Sequence, residues 1–246
     1  MPVFFIQSSA IQDNTLSIHE PLFSHLHKSL RIRQGHILRV GDERRQRYVI
    51  RIARIGDRHL VGTILERQTG PPPLAHNLVL GQAILKGQRM SWVIQKATEL
   101  GVSVIVPLIS ARVVVRPKMN HLLAYQERWQ HIAEEAAQQS ERWEIPKVVL
   151  PRTTTEFWKE YRVSCLSSIL IERENKEGIT SLRLPNDPLG RIVLTVGPEG
   201  GWTQEELDEA QNNNFQPITL GPHILRGETA ALAALSILQS RLGYLR

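Results

Sequence analysis

Two periodicities divide this chain. In residues 1–67, short runs of β-branched and aromatic residues recur at Val3–Ile6, Ile37–Val40, Tyr48–Ile55 and Leu60–Leu65. Such runs predict half-buried strands. Gly41-Asp42 and Gly56-Asp57 supply turns between them. One short helix is expected around Pro21–Leu30, and a small β-barrel is the expected whole. From residue 78 onward the pattern changes. Apolar runs at Leu78–Leu85, Val104–Leu108, Val148–Leu150, Ser168–Ile171, Arg191–Val196 and Pro217–Leu220 predict buried strands. Between and after them, helical spacing appears at 88–100, 120–139, 154–162, 203–213 and 228–241. This alternation predicts an α/β unit, a mostly parallel sheet with helices on both faces. In the first of these helices Met90, Val93, Ile94, Ala97 and Leu100 share one side, and Gly101 stops it.

The stretch Thr69-Gly70-Pro71-Pro72-Pro73 is stiff and extended, a connector between the two patterns. It sets two expected domains, residues 1–70 and 74–246. Charge divides at the same place. Residues 1–67 hold eleven Lys/Arg against six Asp/Glu, and the rest hold nineteen against eighteen. Ten of the first eleven are arginine, whose planar fork suits phosphate. A nucleic-acid partner and a merely solvated basic face both fit that excess. No apolar run reaches the roughly 20 residues of a membrane span, so no membrane partner is expected. The N-terminus lacks the features of a signal peptide, so a cytoplasmic protein is expected. Cys165 is the only cysteine, and His131 with Glu134 or Glu135 lacks a third ligand, so no metal site is expected.

Three segments carry candidate chemistry. Leu194–Val196 feeds Gly197-Pro198-Glu199-Gly200-Gly201-Trp202-Thr203, a glycine-rich loop ahead of a helix. Glycine there lets a ligand approach the backbone. Thr203 and Glu206 form a capping box, so Glu205, Glu206 and Asp208 serve the helix start. Glu199 lies ahead of the cap and is left for other work. The loop lacks both the Gly-Lys-Ser/Thr of a P-loop and the spacing of a dinucleotide fingerprint. A second loop, Leu220–Thr229, places Arg226 and Glu228 at the start of an alanine-rich helix, as a fixed cation and an acceptor. A third segment, Lys86-Gly87-Gln88-Arg89, puts two cations at a strand-to-helix junction that suits phosphate or, equally, a solvated helix start, and the polar run 138–142 is a further candidate for a site wall.

In this order, the segments 86–102, 138–142, 196–203 and 220–230, with Leu30–Gly35, resemble the RsmE-type methyltransferases, which methylate N3 of a uridine in small-subunit (16S) ribosomal RNA. The resemblance covers most of the chain. Ser91, His223 and Gly227 depart from the residues most common in that family. The resemblance implies a SPOUT methyltransferase domain with a C-terminal trefoil knot, preceded by a PUA-like β-barrel that holds RNA. It implies S-adenosylmethionine as cofactor, against Leu170, Val196, Gly197, Pro198, Gly200, Leu220, Gly221, Ile224, Leu225 and Thr229. It also implies a homodimer acting on ribosomal RNA or the assembled small subunit.

The uracil N3 proton must leave before or during methylation. Arg226 could stabilise the resulting anion, and Glu199 or Glu228 could take the proton. Arg31, Arg33, Lys86 and Arg89 are the expected RNA contacts. The sequence leaves two alternatives open: the same fold acting on transfer RNA or another RNA position, and a non-enzymatic RNA-binding factor.

Overall fold

The computed structural model describes residues 2–73, 76–172, 177–185 and 190–245. It divides into two units, Met1–Pro73 with Ala137–Glu144, and Leu74–Ala136 with Ile145–Arg246.

The first unit holds six strands: β1 (Val3–Phe5), β2 (Ile11–Gln12), β3 (Thr15–His19), β4 (Ile37–Gly41), β5 (Gln46–Ile55) and β6 (His59–Thr69). They form one sheet in the order β1-β4-β5-β6-β3-β2, antiparallel except for β1 beside β4. Asp42 builds the β4–β5 turn, because its carboxylate accepts the N–H groups of Arg44 and Gln46 and the Tyr48 hydroxyl. Helix α1 (Leu22–Ser24) and a π-helical turn (His25–Ser29) put Phe23 and Leu26 into the core with Leu16, Leu38, Ile50 and Leu60. The hairpin β2–β3 lies outside the sequence expectation. Strand β2 has only two residues, and Asp13 at the turn takes φ 50°. Strand β6 outruns its expected end, because Glu66–Thr69 continue the ladder with Gln46–Val49, and the Thr69 hydroxyl also donates to Gln46 Oε1 at 3.0 Å.

Residues 137–144 complete this unit. The Arg47 guanidinium stacks over Trp143 at 3.7 Å and donates to the Glu141 carbonyl, while Arg45 pairs with Glu144 and bonds Pro71 O.

The second unit holds β7 (Asn77–Ala83), β8 (Val104–Ile109), β9 (Lys147–Val148), β10 (Arg152–Thr153), β11 (Leu166–Leu170), β12 (Arg191–Val196) and β13 (Gln216–Ile218). The sheet runs β10-β8-β7-β12-β11-β13, with β9 also on β8, and every one of these pairs is parallel. Helices α2 (Gln88–Glu99), α3 (Leu122–Gln139) and α6 (Gly227–Arg241) cover one face. Helices α4 (Thr154–Tyr161) and α5 (Gln204–Asn212) cover the other. Burial on both faces explains why these strands read as continuous apolar runs. Helix α2 buries Met90, Val93, Ile94 and Ala97, and Gly101 at φ 85° closes it while Val102 N–H bonds Ala97 O at 3.1 Å. Thr203 and Glu206 form the expected capping box on α5. Among the described residues, no helix is long and apolar enough to cross a membrane.

Candidate active site

The site lies beyond the carboxyl ends of four adjacent strands. In sheet order these are β7, β12, β11 and β13. The segments that follow them carry residues 84–89, 197–203, 171–172 and 219–227, which include the first residues of α2 and α6. The crevice at the carboxyl ends of parallel strands is the usual ligand site of an open α/β sheet.

One cavity of about 240 Å³ opens among the loops after β11, β12 and β13. Leu170, Val196, Leu220, Ile224 and Leu225 give it apolar walls, and Gly197, Pro198, Gly200 and Gly221 bring backbone to its rim. Gly221 has φ 120°, which side-chain-bearing residues rarely adopt, and only open space lies where a Cβ would stand. A flat apolar group and a polar tail both fit such a lining.

Trp202 fixes the loop after β12. Its indole N–H donates to Leu170 O at 3.0 Å, tying the loop to the end of β11. A Cβ at Gly197 would stand 3.1 Å from that indole. The sequence suggests ligand approach at this glycine, which lines the cavity, and its missing side chain also leaves room for Trp202. Arg112, which also lines the cavity, holds the same loop by donating to Gly200 O at 3.1 Å and Trp202 O at 3.2 Å.

A second cavity, about 560 Å³, adjoins the first and is lined by Arg89, Glu172, Pro198, Glu199, Ile224, Leu225, Arg226 and Gly227. Glu172, Pro198, Ile224, Leu225 and Gly227 line both cavities, so the two share a wall. Helix α2 begins at Gly87 with no side-chain cap, and Glu199 sits at that end. Its carboxylate accepts Lys86 N–H at 3.1 Å and lies 3.3 Å from the Arg89 guanidinium. Among the described residues Arg226 has no ion-pair partner.

The structure therefore gathers Arg226, Glu199 and Arg89 around one cavity. It gathers Leu170, Val196, Gly197, Pro198, Gly200, Leu220, Gly221, Ile224 and Leu225 around the other. Glu228 and Thr229 stand on the first turn of α6 and line neither. One Glu228 carboxylate oxygen is buried without a hydrogen-bond partner among the described residues. Lys86 lines neither cavity and contributes its backbone N–H. Arg31 and Arg33 belong to the first unit, exposed on either side of buried Ile32. The 138–142 run also belongs to that unit and lines neither cavity. His131 lies 3.4 Å from Glu134, and no group of three or more His, Cys, Asp or Glu converges among the described residues.

Sequence reasoning missed Arg112, Glu172 and Trp202. The tryptophan lay inside the glycine motif and was legible there. The other two sit at strand ends with no motif around them.

The profile of the RNA methyltransferase domain family matches residues 72–239. The ribosomal RNA small subunit methyltransferase E of Mesomycoplasma hyopneumoniae is 31% identical over 233 residues, 95% of this chain and 96% of that one. The protein of the same name from Synechocystis is 36% identical over 182 residues, which span 74% of this chain and 57% of that relative. A crystal structure of the Neisseria gonorrhoeae ribosomal RNA small subunit methyltransferase E, bound to S-adenosylmethionine, superposes with a TM-score of 0.86 at 31% identity, covering 98% of each chain.

Proposed function

The chain belongs to the RNA methyltransferase family, and on that premise we propose that it methylates N3 of a uridine in small-subunit ribosomal RNA. One observation carries this reading: two adjoining cavities share a wall, and the one outside the apolar cleft is faced by a cation unpaired among the described residues, Arg226.

The apolar cleft fits S-adenosylmethionine. Leu170, Val196, Leu220, Ile224 and Leu225 would enclose the adenine, and the backbone at Gly197, Pro198, Gly200 and Gly221 would meet its polar groups. When bound, the cofactor supplies an electrophilic methyl group on a positively charged sulfur. Thr229, on the first turn of α6, stands outside the cleft lining.

The chain's own residues do the rest in the second cavity. Arg226 stabilises the negative charge that a uracil ring gains as N3 loses its proton. Glu199 is the proton acceptor, because it lines the cavity whereas Glu228 does not. Arg89 holds the Glu199 carboxylate in place. N3 lies on the Watson–Crick edge, so the target uridine enters unpaired and turned out of its stack.

The wider architecture belongs to the same proposal. Residues 1–70 form a PUA-like barrel in which Arg31 and Arg33 grip phosphates. Residues 74–246 form a SPOUT domain whose loops after β12 and β13 close a trefoil knot, a reading supported by the non-sequential strand order β7-β12-β11-β13. The active form is a homodimer. Trp92, 43% exposed on α2, offers it an aromatic anchor. A ribosomal substrate places the protein in the cytoplasm.

The test is transfer of labelled methyl groups by the purified protein to small ribosomal subunits, their naked RNA and transfer RNA. The expected product is 3-methyluridine in the small-subunit RNA. Label in transfer RNA alone, or on another atom, contradicts the proposal.

A further inference from the structure

Glu172 stands just past the end of β11, exposed, and belongs to none of the motifs in the sequence. Its position is nonetheless singular. Of the residues that line both cavities, Pro198, Ile224, Leu225 and Gly227 are uncharged, and Glu172 alone carries a charge. The other carboxylate at hand, Glu199, is held by Lys86 N–H and Arg89. Arg112, the cation of the cofactor cleft, gives hydrogen bonds to Gly200 O and Trp202 O. Among the described residues Glu172 has no ion-pair partner.

We infer that Glu172 is the residue by which this site distinguishes the charged methyl donor from its uncharged product, an inference that rests on the cofactor reading above. A donor in one cavity and an acceptor in the other must meet at the wall the cavities share. The sulfur that carries the methyl group therefore lies near that wall, and so does Glu172. Before transfer that sulfur is a sulfonium cation, which a carboxylate attracts. In the transfer the C–S bond breaks with its electron pair left on sulfur. Uracil N3 supplies the pair of the new bond, and its proton passes to Glu199. The sulfur is now a neutral thioether, and the attraction to Glu172 is gone. The carboxylate thus favours loading of the donor and does nothing to retain the product. Glu172 is a specificity-determining residue in this account and takes no part in moving the proton.

The test is calorimetric binding of S-adenosylmethionine and S-adenosylhomocysteine to the full-length protein and to its Glu172→Gln and Glu172→Asp variants. The two ligands share the adenosine and the amino-acid tail and differ in the methyl group and the charge on sulfur. The expected result for Glu172→Gln is an affinity for S-adenosylmethionine about five-fold lower, with the affinity for S-adenosylhomocysteine changed less than about two-fold. Glu172→Asp keeps most of the discrimination. A misfolded variant loses both ligands together, so the ratio of the two affinities isolates the charge effect. Equal losses in Glu172→Gln overturn the inference, because they place the carboxylate on the ammonium group common to both ligands. Unchanged binding of both overturns it too. A wild-type protein that binds neither ligand overturns the cofactor reading itself, and this inference with it.

Discussion

Arg226 lines its cavity, and among the described residues no carboxylate lies within ion-pair distance of it. An unpaired cation at a site wall is available to a developing anion, whereas a paired one is already spent. Arg226→Ala is therefore expected to lower methyl transfer about 100-fold or more while leaving the circular dichroism spectrum and thermal midpoint close to wild type. Transfer within a few-fold of wild type would remove this role. The pair Arg226 and Glu199 was legible in the sequence because each sits in a glycine-flanked loop with no helix-capping duty to explain it. Glu228 was equally conspicuous, yet one helical position beyond Gly227 takes it off the cavity wall. Sequence spacing does not reveal which way a first-turn residue faces.

At the scale of elements, the chain's periodicity carried most of the fold. Every expected helix and strand of the second unit has a counterpart, because two buried sheet faces and amphipathic helices leave strong patterns. Strand β9, however, ends at Val148, where the expected strand reaches Leu150. Strand β10 was missed, since two residues leave no period to read. Gly81 in β7 has a reason that no pattern shows: a Cβ there would stand 2.5 Å from Phe157 Cζ, beneath helix α4. Gly81→Ala is expected to destabilise the protein by about 1–3 kcal/mol, read by denaturant titration. A stability equal to wild type would mean that Phe157 can move aside at no cost.

Helix α4 carries a second capping box, Thr153 with Glu156. The Thr153 backbone N–H, then its hydroxyl, and then the charge of Arg152 hold the Glu156 carboxyl below its ordinary value of 4.5. A carboxyl lowered by folding stabilises the native state fully above its unfolded-state value. That contribution is lost as pH falls through the lower folded value. Glu156→Gln should therefore reduce stability near neutral pH and flatten the acid limb of the stability curve below about pH 4.5. Parallel curves for the two proteins across that limb would show that the cap is not ionised when it acts.

At the scale of the whole molecule, charge and punctuation pointed to two parts, and the Gly-Pro-Pro-Pro connector marks the end of the first continuous stretch. Residues 137–144 escaped that reading. They group with the first unit through Trp143 beneath Arg47 and Glu144 beside Arg45, pairings about a hundred residues apart in sequence that no local period encodes. The basic excess of the first unit has a direct consequence. Arg31→Ala with Arg33→Ala should weaken RNA binding and flatten its dependence on salt, lowering the logarithmic slope by roughly 0.7 for each phosphate that is no longer neutralised. An unchanged slope would assign those arginines to a solvated surface.

The proposed reaction changes one atom of one nucleotide. It is tested most directly by mass spectrometry of small-subunit ribosomal RNA from cells lacking this protein and from the same cells with it restored. The account predicts that a single 3-methyluridine disappears in its absence, returns with the wild-type chain and fails to return with Arg226→Ala. An unchanged 3-methyluridine content in the deleted cells would contradict it.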